Sequence, residues 1–143
     1  IHIPAFLRSL SMWVILWGGT VFFLVYQGQP GIICMTPLAW LLAVPAGLNY
    51  VAFAEGKPGR IPFLAGAMVG ATLGLLFGLL CWGVGAYTMP DDPAATGRLT
   101  MRDIALIFIG VGMVIAALLS GVMAHRAALQ QRRGKILTVI NAK

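Results

Sequence analysis

The residues best suited to chemistry in this chain are its two histidines, because a ring nitrogen can ligate a haem, a chlorophyll or a metal ion. His2 lies near the start of the sequence, and His125 follows a long apolar stretch. Neither falls in the middle of an apolar segment, and no other segment offers a facing histidine. This excludes a bis-histidine haem site inside a bundle and leaves His125 as a weak candidate ligand. We expect no cofactor, no metal and no catalytic residue.

The two cysteines, Cys34 and Cys81, do not form the CxxC spacing of a redox motif. Both fall near the same, outer ends of apolar segments in the topology given below. A disulfide between them is conceivable in an oxidising compartment. We favour the alternative, in which each is a free cysteine that packs as a small hydrophobe.

Pro45, Gly47 and Asn49 form the best candidate for a solute site. A proline inside a helix removes a backbone hydrogen bond and clashes with the preceding turn. A break of this kind at mid-depth in a membrane can expose carbonyls that bind a solute or an ion, and an asparagine amide can both donate and accept. We favour the alternative of a simple kink, re-satisfied by a neighbour, with Asn49 bonding across helices.

The strongest spacing signal is a glycine at every fourth position of one apolar segment: Gly66, Gly70, Gly74 and Gly78. Residues four apart share a helix face, and small residues let two helix backbones approach closely in a membrane. A later apolar segment carries a second small-residue face, formed by Gly110, Ala117, Gly121 and Ala124, with Ala116 and Ser120 beside it. We predict that the two faces pack against each other. An interface with a partner subunit is the alternative.

Charge is missing from the middle of every apolar segment. Proton relays, ion-coupled carriers and voltage sensors need ionisable groups inside the membrane, so the sequence argues against these classes. The formal net charge is +6, but the basic residues flank the apolar segments and do not alternate with exposed aromatics. We therefore expect no nucleic-acid binding.

The elements that carry these residues are predicted to be transmembrane helices. The chain has 143 residues, of which 59% are hydrophobic and only 10% charged, against about 25% charged in soluble domains. Four segments reach the ~20 apolar residues that a span requires, roughly residues 10–26, 32–54, 62–87 and 104–124. The first is expected to extend back past Arg8. The predicted fold is an all-α polytopic membrane protein, a four-transmembrane-helix bundle built from two helical hairpins.

The distribution of basic residues predicts the orientation of the bundle. Eight of the ten lie before the first segment, between the second and third, or after the fourth. Only Arg98 and Arg102 lie in the connection between the third and fourth segments, beside acidic residues. Because basic residues mark the cytoplasmic side, both termini are expected in the cytoplasm. We expect a multi-pass protein of the bacterial cytoplasmic (inner) membrane.

Residues 127–143 are predicted to form a basic, amphipathic cytoplasmic tail that follows a transmembrane domain at 1–126. The basic residues of the tail are Arg132, Arg133, Lys135 and Lys143, and Arg126 directly precedes it. We expect all of these except Lys143 to dock on anionic lipid headgroups, which attract each nearby basic residue by about 1 kcal/mol, or on a partner. Residues 135–140 are β-prone and could add a strand to a partner's sheet.

These features favour an accessory or structural subunit of a larger membrane protein complex over an enzyme. The lipid bilayer, anionic headgroups and other membrane subunits are the expected partners. The alternative is a small homo-oligomeric transporter or channel for a neutral or lipid-like solute. A third interpretation is a subunit associated with a cofactor or pigment in an electron-transfer or light-harvesting complex.

Overall fold

The computed structural model describes residues 1–54, 61–88 and 101–141, and every regular element in these ranges is helical. The α-helices are α1 (Ile3–Tyr26), α2 (Thr36–Ala39), α3 (Ala43–Phe53), α4 (Pro62–Thr88) and α5 (Met101–Asn141). Two 3₁₀ segments, Pro30–Met35 and Trp40–Leu42, lie before α2 and between α2 and α3. Four stretches are long and apolar enough to cross a membrane: Ile3–Tyr26, Thr36–Phe53, Pro62–Tyr87 and Asp103–Ile136. The all-α prediction with four spans is thus confirmed in outline, and it is the architecture of an integral membrane protein.

Helix α1 extends back past Arg8 to Ile3, as the sequence predicts. His2 caps it, because its Nδ1 accepts a hydrogen bond from the Ala5 amide at 3.2 Å and so satisfies one of the free donors of the first turn. The helix ends before Gly28, whose φ of +79° lies in the left-handed region that glycine adopts at little cost. At 1.5 Å per residue, its 24 residues span about 36 Å, enough for a ~30 Å hydrocarbon core.

The second predicted segment, residues 32–54, is not a single kinked helix but a series of short α-helical and 3₁₀ pieces. Its α-helical path is interrupted at Trp40–Leu42, before Pro45, which lies in the first turn of α3. The position follows from proline chemistry: Pro45 cannot donate to the Leu41 carbonyl, and its ring clashes with that carbonyl. The irregularity therefore falls on the turn that precedes Pro45. Pro37 likewise occupies the first turn of α2, where no helical donor is lost.

Helix α5 is one uninterrupted helix of 41 residues, about 62 Å long. It contains the predicted fourth segment and residues 127–141 of the predicted tail, while residues 142–143, with Lys143, lie outside the described residues. Residues 135–140 are α-helical, which contradicts the expectation of an extended strand there. Leucine, isoleucine and valine fit either structure, so the local β-propensity is overridden by continuation of a long helix.

Helices α4 and α5 run antiparallel, and so do α1 and α3. Along α4 and α5, Gly66 lies against Ala124 while Gly78 lies against Ile109. Along α1 and α3, the His2 amide donates to the Tyr50 hydroxyl at 3.2 Å. The Ser9 hydroxyl donates to the Ala46 carbonyl at 2.7 Å. The core between the helices includes Tyr50, Val51, Val69, Leu73 and Phe77, each at most 2% exposed.

Helix α1 lies at the periphery of the bundle. Only 11% of the most apolar 18-residue stretch of α1 is buried, compared with 44% of the corresponding stretch of α4. Its buried residues are Ala5, Ser9 and Val21. The tightly packed part of the molecule is therefore formed by α3, α4 and α5.

Candidate functional site

The candidate site is the contact between α4 and α5, where the glycines leave backbone against backbone. A Cβ placed on Gly74 would lie 2.6 Å from the Gly112 carbonyl carbon, and one on Gly70 would overlap the Ala116 carbonyl. Separations under 3.0 Å do not occur at real Cβ atoms. Gly66 and Gly78 are equally closed, against Ala124 and Ile109 respectively. All four glycines of the repeat therefore occupy positions where a side chain would force the two helices apart.

Ser120 of α5 lies where three helices meet. A Cβ on Gly47 of α3 would overlap the Ser120 carbonyl, and one on Gly66 of α4 would lie 2.7 Å from the same oxygen. Gly70 approaches the Ser120 Cβ in the same way. Ser120 is fully buried, and its Oγ has no hydrogen-bond partner among the described residues. An unpaired hydroxyl in an apolar interior is costly, which makes this point the polar centre of the contact.

Trp40 forms a second close contact, between the interrupted segment and α5. Its indole occupies the space beside Gly112, where a Cβ would lie 2.6 Å from Nε1. Its ring also meets that of Phe108 edge-to-face, with centroids 5.8 Å apart. The Nε1 is buried and has no hydrogen-bond partner within the described parts of the chain. The 3₁₀ turn that Pro45 causes just before it thus places the Trp40 indole against Gly112 of α5, where no side chain obstructs it.

The three residues of the predicted solute site differ in burial. Gly47 is buried against Ser120, whereas Pro45 and Asn49 are only half-buried. Residues two apart on a helix point in different directions, so Gly47 and Asn49 belong to different faces. A solute site at these residues stays a prediction.

The predicted small-residue face of α5 is brought only partly into the contact. Gly121 is buried, and a Cβ there would lie 2.9 Å from the Phe63 ring. Ala117 is half-buried, and Gly110 faces outward, where an added Cβ would meet nothing within 4 Å. The residues that α4 and Trp40 contact are Ile109, Gly112, Ala116, Ser120 and Ala124. Of these, Ala124 belongs to the predicted face, and Ala116 and Ser120 lie beside it. Steps of four advance by about 40° around a helix of 3.6 residues per turn, so this strip winds around α5 and approaches the predicted face at Gly121 and Ala124.

The other predicted residues lie apart from this contact. His125, Arg126, Arg132, Arg133 and Lys135 are all exposed on α5. Cys34 is exposed and Cys81 buried, the two are not joined by a disulfide, and the Cys81 thiol hydrogen bonds with Thr36. Residues 1–54, 61–88 and 101–141 contain no group of three or more potential metal ligands.

Open apolar grooves lie on the outside of the bundle. One, of about 380 Å³, separates α1 from the interrupted segment and is lined by Leu16, Trp17, Leu38 and Leu42, among others. Another, on α5, surrounds the gap at Gly110. The hydroxyl in the first groove belongs to Thr20 and already donates to the Leu16 carbonyl. Such grooves suit hydrocarbon chains or the side chains of another protein.

Sequence reasoning missed two of the contacts described above. The Ser9–Ala46 hydrogen bond ties α1 to α3, and Trp40 packs on Gly112. A serine just before the first apolar segment was the available signal for the first. Comparison of this chain with protein-family models, with curated proteins and with solved structures finds no match.

Proposed function

We propose that this chain is a small accessory subunit that packs into a larger membrane protein complex. The observation that carries the proposal is the closed contact between α3, α4 and α5. Glycines place backbone against backbone at Gly47, Gly70 and Gly74, where not even a methyl group fits. A solute path between these helices would require this contact to open, whereas a structural role uses it as it stands.

The outward surface supports the same role. Large apolar side chains are exposed along both α1 and α5, including Ile15, Phe22, Val114 and Leu118. Lipid would cover such a surface, and so would the transmembrane helices of other subunits. Helix–helix association in membranes relies on close packing and not on a hydrophobic force. The outward gap at Gly110 offers a place for such packing.

The proposed orientation places the end of the bundle that carries Arg126 in the cytoplasm. Tyr50, next to His2, and Ala124, next to Gly66, belong to this same end. Arg8 and the exposed basic residues of α5 lie toward it, as the positive-inside rule requires. Lys57, Arg60 and Arg98, which also entered the prediction, lie outside the described residues. The bacterial cytoplasmic membrane remains the proposed location.

The experiment that tests the proposal is extraction in mild detergent, followed by native electrophoresis and mass spectrometry of the proteins that travel with this chain. Foreign subunits at a fixed stoichiometry are expected. A chain that migrates alone, or only with copies of itself, contradicts the proposal.

A second candidate function is a homo-oligomeric transporter or channel for a neutral or lipid-like solute. It is favoured by the interruption at Trp40–Leu42 together with the Trp40 Nε1, which is unpaired among the described residues, because broken helices line solute sites in transporters. Flux in proteoliposomes that is lost in Asn49→Ala or Trp40→Phe would support it. Flux no greater than that of empty vesicles would dismiss it.

A further inference from the structure

Eight of the exposed residues on α5 are spaced by alternating steps of four and three positions, and six of the eight are apolar. They are Val111, Ile115, Leu118, Val122, His125, Leu129, Arg132 and Ile136, here called the α5 seam. All eight are exposed. Alternating steps of four and three are the spacing of the a and d positions of a coiled coil, which keep facing one partner helix. The seam covers more than three heptads, the length at which such a pattern becomes informative.

The seam continues beyond the part of α5 that a bilayer can cover. Asp103 to Ala124 spans about 32 Å, close to the ~30 Å hydrocarbon core. Leu129 then lies about 8 Å and Ile136 about 18 Å past Ala124 along the straight helix, while each headgroup layer is only about 5–8 Å thick. Leu129 is 42% exposed and Ile136 59%. Lipid chains account for exposed apolar residues between Asp103 and Ala124, but not for Ile136.

Charge selects the kind of helix that can cover the seam. Arg126, Arg132, Arg133 and Lys135 are exposed on this part of α5, and the sequence contains no acidic residue after Asp103. Two copies of the chain in one membrane share one orientation, so their α5 helices could pair only in parallel. That pairing would set Arg132 against Arg132, and like charges at a coiled-coil contact repel. Anionic headgroups match the charge but do not reach Ile136.

We propose that the α5 seam binds a helix of a different subunit, one that carries apolar residues at heptad spacing flanked by Asp or Glu. This inference rests on the proposed accessory role and names the chemistry of the partner. The six apolar residues of the seam supply contact area, and the four basic residues, of which Arg132 belongs to the seam, select an acidic helix over a second copy of α5.

The test uses the full chain in nanodiscs of zwitterionic phosphatidylcholine. The probe is a fluorescent synthetic 21-residue helix with Ile and Leu at its a and d positions and Glu at its e and g positions. A matched peptide with Lys at e and g is the charge control. Binding is followed by fluorescence anisotropy. We expect the acidic peptide to bind and the basic peptide not to bind.

Paired variants locate the binding surface. Leu129→Ser/Ile136→Ser is expected to weaken binding of the acidic peptide at least tenfold. Gln131→Ala/Thr138→Ala, on the opposite face of the same helix, is expected to leave binding unchanged. Both pairs lie outside the buried core, so circular dichroism should show equal helix content. Equal binding by the seam and control variants, or by the acidic and basic peptides, overturns the proposal.

The same variants separate this inference from the accessory role. Loss of the foreign subunits from the detergent-extracted Leu129→Ser/Ile136→Ser complex supports the seam. If they stay attached to that variant, the seam is wrong and the accessory role stands. If wild-type protein carries no foreign subunit, the accessory role itself fails. A disulfide between two copies of an Ile136→Cys variant also overturns the proposal, in favour of a second copy as the partner. A tail that becomes ordered only on vesicles containing phosphatidylglycerol overturns it in favour of lipid.

Discussion

Individual glycines on α4 differ in what an added methyl group would meet. Gly70 faces the Ala116 carbonyl at overlapping distance, whereas Gly83 has nothing within 4 Å. The two positions therefore separate the close-packing requirement from the general effect of replacing glycine in a helix. The serines offer a similar pair, since Ser9 has a hydrogen-bond partner and Ser120 has none among the described residues.

Gly70→Ala is expected to lower the free energy of unfolding by about 1–3 kcal/mol, the usual cost of overpacking. Gly83→Ala should be neutral or raise stability by up to about 1 kcal/mol, because alanine is the better helix former. Thermal unfolding of both variants in the same detergent measures the difference. Equal losses for the two would mean that α4 and α5 do not approach as closely as described.

Ser9→Ala is expected to lose stability by about 0.6 kcal/mol, the average for a hydrogen bond between membrane helices. Ser120→Ala should leave stability unchanged or raise it, because it removes a buried hydroxyl without a partner among the described residues. Unfolding in a series of denaturing detergent mixtures can compare the two. A larger loss for Ser120→Ala than for Ser9→Ala would show that the Ser120 hydroxyl is satisfied, for instance by a buried water.

At the scale of elements, apolar length and glycine spacing were sufficient to predict four spans and the glycine face of α4. They were not sufficient for the shape of the second segment, because the effect of Pro45 falls one turn earlier, on Trp40–Leu42. They did not reveal that Gly110 faces outward, since the face that α5 turns toward α4 depends on how the strip of contacts winds around the helix. Helix periodicity identifies which residues share a face, but only the partner helix determines which face is buried.

Pro45→Ala is expected to restore a backbone donor to Leu41 and to convert Trp40–Leu42 toward α-helix. Cα chemical shifts of residues 40–42 should move toward helical values, and the new amide at position 45 should exchange slowly. Trp40 should leave Gly112 as the turn straightens, which a change in indole fluorescence would report. Unchanged shifts at 40–42 would mean that packing of Trp40, not Pro45, maintains the 3₁₀ turn.

At the scale of the whole molecule, the charge asymmetry implies one orientation in the membrane. Gly134 is exposed on α5, and Gln29 is exposed at the opposite end, after α1. The two positions should therefore face different compartments. A Cβ added at Gly134 meets nothing within 4 Å, and cysteine is smaller than the glutamine that it replaces at position 29.

Single cysteines at these positions, in a Cys34→Ser/Cys81→Ala background, test the orientation. A membrane-impermeant maleimide applied to intact cells is expected to label Gln29→Cys at once. It should label Gly134→Cys only after the membrane is permeabilised. The reverse pattern would place the basic end of α5 outside the cytoplasm and contradict the positive-inside assignment.

The sparse burial of α1 also has a consequence for how the protein assembles. Its anchoring contacts, Ser9 with Ala46 and Val21 beside Cys81, involve partners that are synthesised after it. Helix α1 therefore enters the bilayer before either partner exists. The α3–α4–α5 contact needs none of the α1 side chains and can close first. We expect the first span synthesised to dock last, and until it docks, the face that later meets α3 and α4 is open to whatever assembles with this chain during biogenesis.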